Sequence, residues 1–565
     1  MPERLTQSDR FARLATTLGA DVLVLVKLEA AEAISENFEW RISCLLNDGE
    51  DPVDPQALIG QSLHVEVDTD SGTTRYFPGL CTDVRFRGWR GDYMYYDLVL
   101  RPWTWLLTRE TRSRIFHDLT LKEIMEEVFK DNDLTAVEFR LQKSYDPIPY
   151  CVQYHETSYD FISRLMEKYG LFFFFEYSAG KHEMIVVDTQ TALPDIPEYK
   201  ALRFQTDTHI GIREDRLLGW QTDNRLRTGV FEVDDYNYDR PSSKLDVARN
   251  AKDKPKHSRN TLRKYRYPAG HQESGGGQQL ADVLIDAERA DAERKFAYGH
   301  APLVHAGGVF TMTEHPVTDE NARHFAVRAR HSVFVQHFRS VAGAPDTGFG
   351  GTRDVEIEPD TDQYHGEYEV ADVAKAYRTL PLTPWPRIYG AQTATVIKEK
   401  NAPADEEIDV DTQGRILVQF HWKDTAKGAQ PSCRVRVAQI WAGPQWGGVW
   451  IPRVGMEAVV EFLEGDPDRP LVTGTVYNGK NKPPIAFPAD KTKSTIKSNS
   501  SKGGAGFNEF RFEDKKDDEE IYIHAERDRL MEIEHDDDIT IGNNQTEKIG
   551  GSRTFELTGG DETVT

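Results

Sequence analysis

The sequence predicts a mainly β protein of several domains that ends in a repetitive needle, and three observations predict it. Alternating apolar and polar runs dominate the first 385 residues, short strands between Gly, Asp and Pro turns fill about Pro386 to Asn478, and an eight-residue repeat runs through the last residues. At 565 residues the chain has the length of about three or four domains, each large enough for its own core.

Charge and cysteine usage narrow the function classes. The formal net charge is −24, which argues against a surface built for nucleic acid or anionic membrane. Cys44, Cys81, Cys151 and Cys433 are scattered with no CxxC pair, so they read as apolar residues of a chain folded in a reducing cytoplasm. The N-terminal stretch lacks the basic end and apolar centre of a signal peptide, and no run of about eighteen apolar residues occurs. If the protein leaves the cell, it does not use the usual N-terminal address.

In the first region, "SLHVEVDTD" and "YMYYDLVLRPW" read as antiparallel strands of a barrel or sandwich. Thr120 to Asp131 reads as a helix with Leu121, Ile124, Met125 and Val128 on one face. "TSYDFISRLMEKYG" reads as another, opened by Thr157 with Asp160 three residues on and closed by Gly170. The following "LFFFFEY" is apolar enough that both faces of its strand require cover, one of them from this helix. "QQLADVLIDAERADAERKFAYG" reads as a charged helix crossing the surface, and "ESGGGQQ" and "GFGGTRD" as loops, because they lack the Lys and Ser/Thr of a phosphate loop.

In the second region, "GRILVQFHW", "CRVRVAQIW", "WGGVWIPRVG" and the hairpin "VGMEAVVEFLEGDPDRPLVTGTVYN" supply five strands, the count of an OB-type barrel. "GDPDRP" fixes a tight connection, and Gly474 marks a bend or a close backbone approach.

From Ile523 two columns recur every eight residues. One reads Ile523, Met531, Ile539, Glu547, Phe555, Thr563, and the other Ala525, Ile533, Ile541, Ile549, Leu557, Thr565. Eight residues make one strand and a corner, so one chain cannot close a rung that needs roughly three sides. Three chains can, which predicts a trimeric β-prism with the columns at its axis. At one strand spacing per octad, residues 521–565 would span about 25 to 30 Å.

The residues also carry a resemblance. "YHETSYDFISRLMEKYGLFFFFEY", "DVDTQGRILVQFHWKD", "SCRVRVAQIWAGPQWGGVWIPRVGMEAVVEFLEGDPDRPLVTGTVYN" and "NSSKGGAGFNEFRFEDKKDDEEIYIHAERD" are similar to the VgrG family, the spike of the bacterial type VI secretion system. The likeness extends over nearly the whole chain and is less typical at "AYRTLPLTPWPRIYG". It implies a phage tail hub-like region over 1–385 with two β-barrel domains plus helices. An OB-fold domain over 386–480, a linker over 481–507 and the start of a β-helical needle over 508–565 then follow. The OB motif it implies comprises Gly414, Arg415, Trp422, Trp441, Gly455, Gly465, Asp466, Pro467, Asp468, Arg469, Pro470, Tyr477 and Asn478. It further implies a homotrimer that meets the Hcp tube hexamer, a PAAR-type tip protein, effector proteins or adaptors, and baseplate components. Such a protein waits in the bacterial cytoplasm, leaves through the type VI system and penetrates membranes transiently without a transmembrane segment.

No catalytic, cofactor or metal residue is expected. Histidines 300, 305, 315, 324, 331 and 337 crowd one region without HxH or HExxH spacing and read as ordinary strand or surface residues. Adjacent His155 and Glu156 would point to opposite faces of a strand, so they do not make a dyad. The segment from Phe512 to Asp538 holds thirteen acids against four basic residues, which reads as the solvated outside of the needle; a cation held where three "HDDD" copies converge is the alternative. The competing functional class is a spike that carries an enzymatic effector domain beyond these residues.

Overall fold

The computed structural model describes residues 4–90, 93–206, 214–253, 257–335, 363–422, 430–560 and 562–564. His337, the "GFGGTRD" segment and Thr565 therefore lie outside the described residues. The chain divides into two units, Met1–Lys400 with Ile408–Val476, and Asn401–Glu407 with Tyr477–Thr565.

The period-two alternation of the first region is realised as one sheet of twelve described strands. Six of them, Arg323–Phe334, Val309–Thr313, Leu202–Phe204, Arg216–Asn224, Glu293–His300 and Gln363–Asp372, close on themselves as a barrel because Gln363–Asp372 pairs back onto Arg323–Phe334. The other six run from Ala12–Ala15 to Leu23–Ala33, which pairs with the free edge of Arg323–Phe334. That long strand is thus shared, and Phe325, Ala326, Ala329 and Val333 from it enter cores on both sides.

Helix α1 (Leu121–Lys130) starts where Thr120 accepts from the Glu123 backbone N–H while Glu123 reaches back to the Thr120 N–H, so two otherwise orphaned donors are satisfied. Helix α2 (Ser158–Tyr169) begins on Thr157 and stops at Gly170, whose φ of 76° suits a residue without a Cβ. Its Phe161, Ile162 and Leu165 share a core with Phe173 and Phe175 of the strand Phe172–Ser178, while Phe172 and Phe174 face a second core around Phe325. Both faces of that strand are covered.

Helix α3 (Ser274–Ala290) differs from its sequence reading. It starts at the glycine triplet read as a loop, and it ends before "ERKFAYGH", which is the barrel strand Glu293–His300. A Cβ on Gly277 would lie 2.7 Å from the His271 ring, so the absence of side chains lets the first turn close on its neighbour. The helix is also not a surface crossing. Leu280, Ala281, Leu284 and Ile285 are buried against Phe231, Val233 and Val247 of a small three-stranded sheet.

The OB-type barrel has five strands, but not the five read from sequence. Gln392–Ile397 is an inner strand, flanked by Leu417–Phe420 and Glu457–Phe462; Pro470–Val476 and Arg436–Val437 complete the order. Its short "QTATVI" run buries only the small Ala394 and mid-sized Val396, too weak an alternation to stand out. "WGGVWIPRVG" adds no barrel strand: Trp446–Gly448 pairs with Trp441–Gly443 as a separate hairpin. At Gly474 the pairing register shifts between Val459 and Val460, the bend expected there.

The second unit holds a three-stranded antiparallel sheet, Lys493–Lys497, Glu509–Glu513 and Glu520–His524. Its first strand falls inside the segment read as linker. Beyond His524 the described residues form no strand within the single chain.

Candidate functional site

In the second unit the candidate functional surface is an apolar face that stands exposed in the single chain. Cross-strand pairing puts Ile496, Phe510 and Ile523 in one row and Phe512 and Ile521 in the next, all on one face of the sheet. Every one of them is exposed in the single chain. The octad columns continue the pattern: Ile523, Met531, Ile533, Ile539, Ile541, Ile549, Phe555 and Leu557 are between 44 and 69 % exposed. Eight large apolar side chains in solvent are a strong demand for partners.

In the first unit the OB-type barrel is fastened to the hub-like region by the loop read as a turn. The hub ribbon Thr111–Leu119 with Ile148–Thr157 places Ile115 and Val152 in the barrel's own core, beside Ala394, Val418 and Val460. Asp468 Oδ1 accepts from Val152 N–H at 2.7 Å, Gln430 Oε1 accepts from Ile115 N–H at 2.8 Å, and Arg469 pairs with Asp235. Burial, together with the nearby Asp466, pushes the Asp468 carboxyl up to about 7, against the pull of Arg164, Lys168 and the Val152 N–H. Arg164 lies over the Trp385 ring at 4.4 Å, so the connecting segment packs on α2.

The remaining motif residues shape the barrel. Gly414, Gly455 and Gly465 have φ of 72°, 88° and 75°, and Asp466 accepts from the Asp468 N–H in the turn with buried Pro467. Arg415 donates to Asp411 and to the Tyr238 hydroxyl, while Trp422 stacks on Phe420 and donates to Gln392. Pro470 opens the last hairpin strand, Tyr477 is exposed, and the Asn478 side chain accepts from the N–H groups of Lys480 and Asn481. Trp441 stands outside the barrel core.

The histidine-rich region resolves into separate jobs. His331 and Glu32 lie 3.5 Å apart in a fully buried network with Arg75, which donates to Glu32 at 2.8 Å, and Tyr364, 2.6 Å from His331 Nδ1. Burial alone would raise Glu32, but Arg75 and His331 hold it down to about 2; burial lowers His331 below its ordinary value. His324 Nε2 meets the Glu320 carbonyl, His305 the Leu303 carbonyl, His315 caps its own turn, and His300 is exposed. His155 points to solvent at φ 48°, where a bulge interrupts the ribbon, while Glu156 is held by Arg164 at 2.7 Å. Sequence reading missed the joint, since Asp468 and Arg469 act on residues more than 200 positions away.

Three family matches cover most of the chain. Residues 31–336 match the phage tail baseplate hub family, 404–477 the type VI secretion system/phage-baseplate injector OB domain, and 494–565 the bacteriophage T4 gp5 C-terminal trimerisation domain. The chain is 35% identical over 548 residues to the type VI secretion system spike protein VgrG1b of Pseudomonas aeruginosa, covering 96% of this chain and 71% of that one. It is 35% identical to VgrG1a of the same organism, over 95% of this chain and 80% of that one. The actin cross-linking toxin VgrG1 of Vibrio cholerae is 30% identical over 83% of this chain, a stretch that is 41% of the toxin. Among solved structures, the E. coli c3393 protein, a type VI secretion component, shares the fold with a TM-score of 0.55 at 16% identity, over 82% of this chain and 99% of that one.

Proposed function

Because the chain belongs to the VgrG family of type VI secretion system spike proteins, we propose that it acts as a non-enzymatic piercing spike. Three copies wind their octads into one needle, and the hub region caps the Hcp tube. The needle end carries a PAAR-type tip and effectors or adaptors, and the base meets baseplate components. The spike assembles in the bacterial cytoplasm and is then fired into the medium or a target cell. Among the described residues no helix is long and apolar enough to cross a membrane, so penetration is assigned to a rigid needle rather than to an inserted helix. Stiffness is the mechanism: columns buried at the axis and backbone hydrogen bonds running along it resist bending.

One observation carries the reading. The apolar columns from Ile523 to Leu557 are regular in sequence and exposed in a single chain, which suits a shaft completed by other copies. The test is a truncation from Ile521 onward, assayed by pull-down with Hcp and with the tip protein. Tube binding is expected to persist and tip binding to vanish while the remainder stays trimeric; tip binding at the parent level would overturn the assigned polarity. A second reading, a spike that carries an enzymatic effector domain beyond these residues, is favoured by the V. cholerae relative, named as a toxin and much longer than this chain.

A further inference from the structure

The stretch that sequence reading took for a linker is a basic collar on an acidic chain. The chain holds 93 acidic against 69 basic residues, yet from Gly479 to Lys502 there are six lysines and a single acid, Asp490. All of them belong to the second unit, ahead of its strand Lys493–Lys497, within it or just beyond it.

Half of these lysines are engaged by their own chain. Lys493 Nζ pairs with Asp490 at 2.7 Å, Lys502 with Glu406 at 3.1 Å, and Lys497 lies over the Phe507 ring at 3.8 Å. Lys480, Lys482 and Lys491 are exposed and pair with no acid among the described residues. Two turns present this surface. The Asn478 side-chain oxygen accepts from the Lys480 and Asn481 N–H groups, and the Asp490 N–H donates to the Ala486 carbonyl at 2.8 Å, closing a turn with Phe487 at its head and Lys491 just after it. Phe487 is 60 % exposed. Pro483, Pro484 and Pro488 restrict the backbone around it, so little freedom is lost on contact.

The chemistry of the collar selects its partner. From Gly479 to Lys502 there is no arginine, whose planar fork suits a fixed carboxylate; lysines are compact point charges on flexible stems and suit a surface whose anionic groups move. A ring exposed between lysines can enter the boundary of headgroups and acyl chains while the ammonium groups stay at the phosphates. The net charge of −24 opposes this at long range, but at physiological ionic strength charges are screened over about 8 Å, so the collar answers to its own lysines. We propose that Lys480, Lys482, Lys491 and Phe487 form a contact for the anionic headgroups of a phospholipid bilayer, just ahead of the trimerisation match that begins at residue 494. This contact rests on the reading of the chain as a spike that penetrates membranes, and it names the segment that faces lipid.

Flotation of the full-length protein with vesicles tests it. The parent is expected to rise with vesicles of equimolar phosphatidylglycerol and phosphatidylcholine, to stay behind with phosphatidylcholine alone, and to be released by high salt. Near an anionic leaflet one lysine is worth roughly a fivefold change in binding, so Lys480→Gln, Lys482→Gln and Lys491→Gln together should weaken binding at least about tenfold. Phe487→Ser should weaken it by a smaller factor, and circular dichroism and native mass should keep both variants at the parent level. A parent that does not float, that binds both kinds of vesicle equally, or that binds no better than the triple variant overturns the collar contact. So does a parent that binds poly-glutamate but not vesicles, which assigns the collar to an acidic protein. Each of these outcomes leaves the spike reading to its own truncation test, so the two fail separately.

Discussion

At the scale of single residues, two packed acids, Asp468 and Glu32, have opposite pH behaviour. The Asp468 carboxyl is raised from an ordinary aspartate to about 7, so the folded joint takes up a proton that the unfolded chain does not between pH 4 and 7. Its contribution therefore falls as pH rises through that window. Asp468→Asn, which keeps an oxygen for the Val152 N–H, is expected to raise the thermal midpoint relative to the parent more at pH 8 than at pH 5; an equal offset at both would contradict it. Glu32 is lowered and His331 is lowered too. For His331 the unfolded chain protonates first as pH falls through about 6.5, and for Glu32 stability is lost as pH falls from about 4.5 towards 2. A His331→Gln variant should show a shallower loss of midpoint between pH 7 and 5 than the parent, with the steeper acid limb below 4.5 retained. None of this was legible in the sequence. A carboxylate in a turn motif and a histidine on a strand look ordinary until residues far along the chain are packed against them.

At the scale of elements, legibility followed how local the cause was. Helices α1 and α2 were readable because a cap, an apolar stripe and a stop all lie within about fourteen residues. The octads were readable because the repeat itself is the signal. Helix α3 was misread at both ends, since Gly277 is placed by the His271 ring and "ERKFAYGH" is claimed by strands on either side. The stretch "WGGVWIPRVG" was misread as a barrel strand because its apolar residues do not say which strand they pair with, and Trp446–Gly448 pairs with Trp441–Gly443 instead. The octad reading makes a direct prediction. Ile541→Asp would put three carboxylates into one axial layer, each facing the several kcal/mol expected for an unpaired buried ion, or a hydroxyl and cavity if protonated. Ser552→Asp, at a corner the repeat predicts for the next octad, should shift stability by less than about 0.5 kcal/mol. Thermal unfolding should show the first variant losing heat resistance and the second matching the parent; equal effects would reject the axial assignment.

At the scale of the whole molecule, fold and family were legible because motifs of three regions occur in one order, from hub to OB barrel to needle. The roles of individual residues were less so, because a spike works through surfaces that only other chains complete. On the proposed reading as a piercing device, the protein should hydrolyse neither peptidoglycan, nucleic acid nor nucleotides above a denatured control, and turnover abolished by a single substitution would contradict that. The central claim is that exposed apolar columns on one chain become the dry axis of three. Sedimentation equilibrium on the full-length protein tests it most directly: the account predicts a particle of three 64.3 kDa chains that Ile541→Asp weakens and Ser552→Asp leaves intact. A stable 64.3 kDa monomer with its columns in solvent would contradict it.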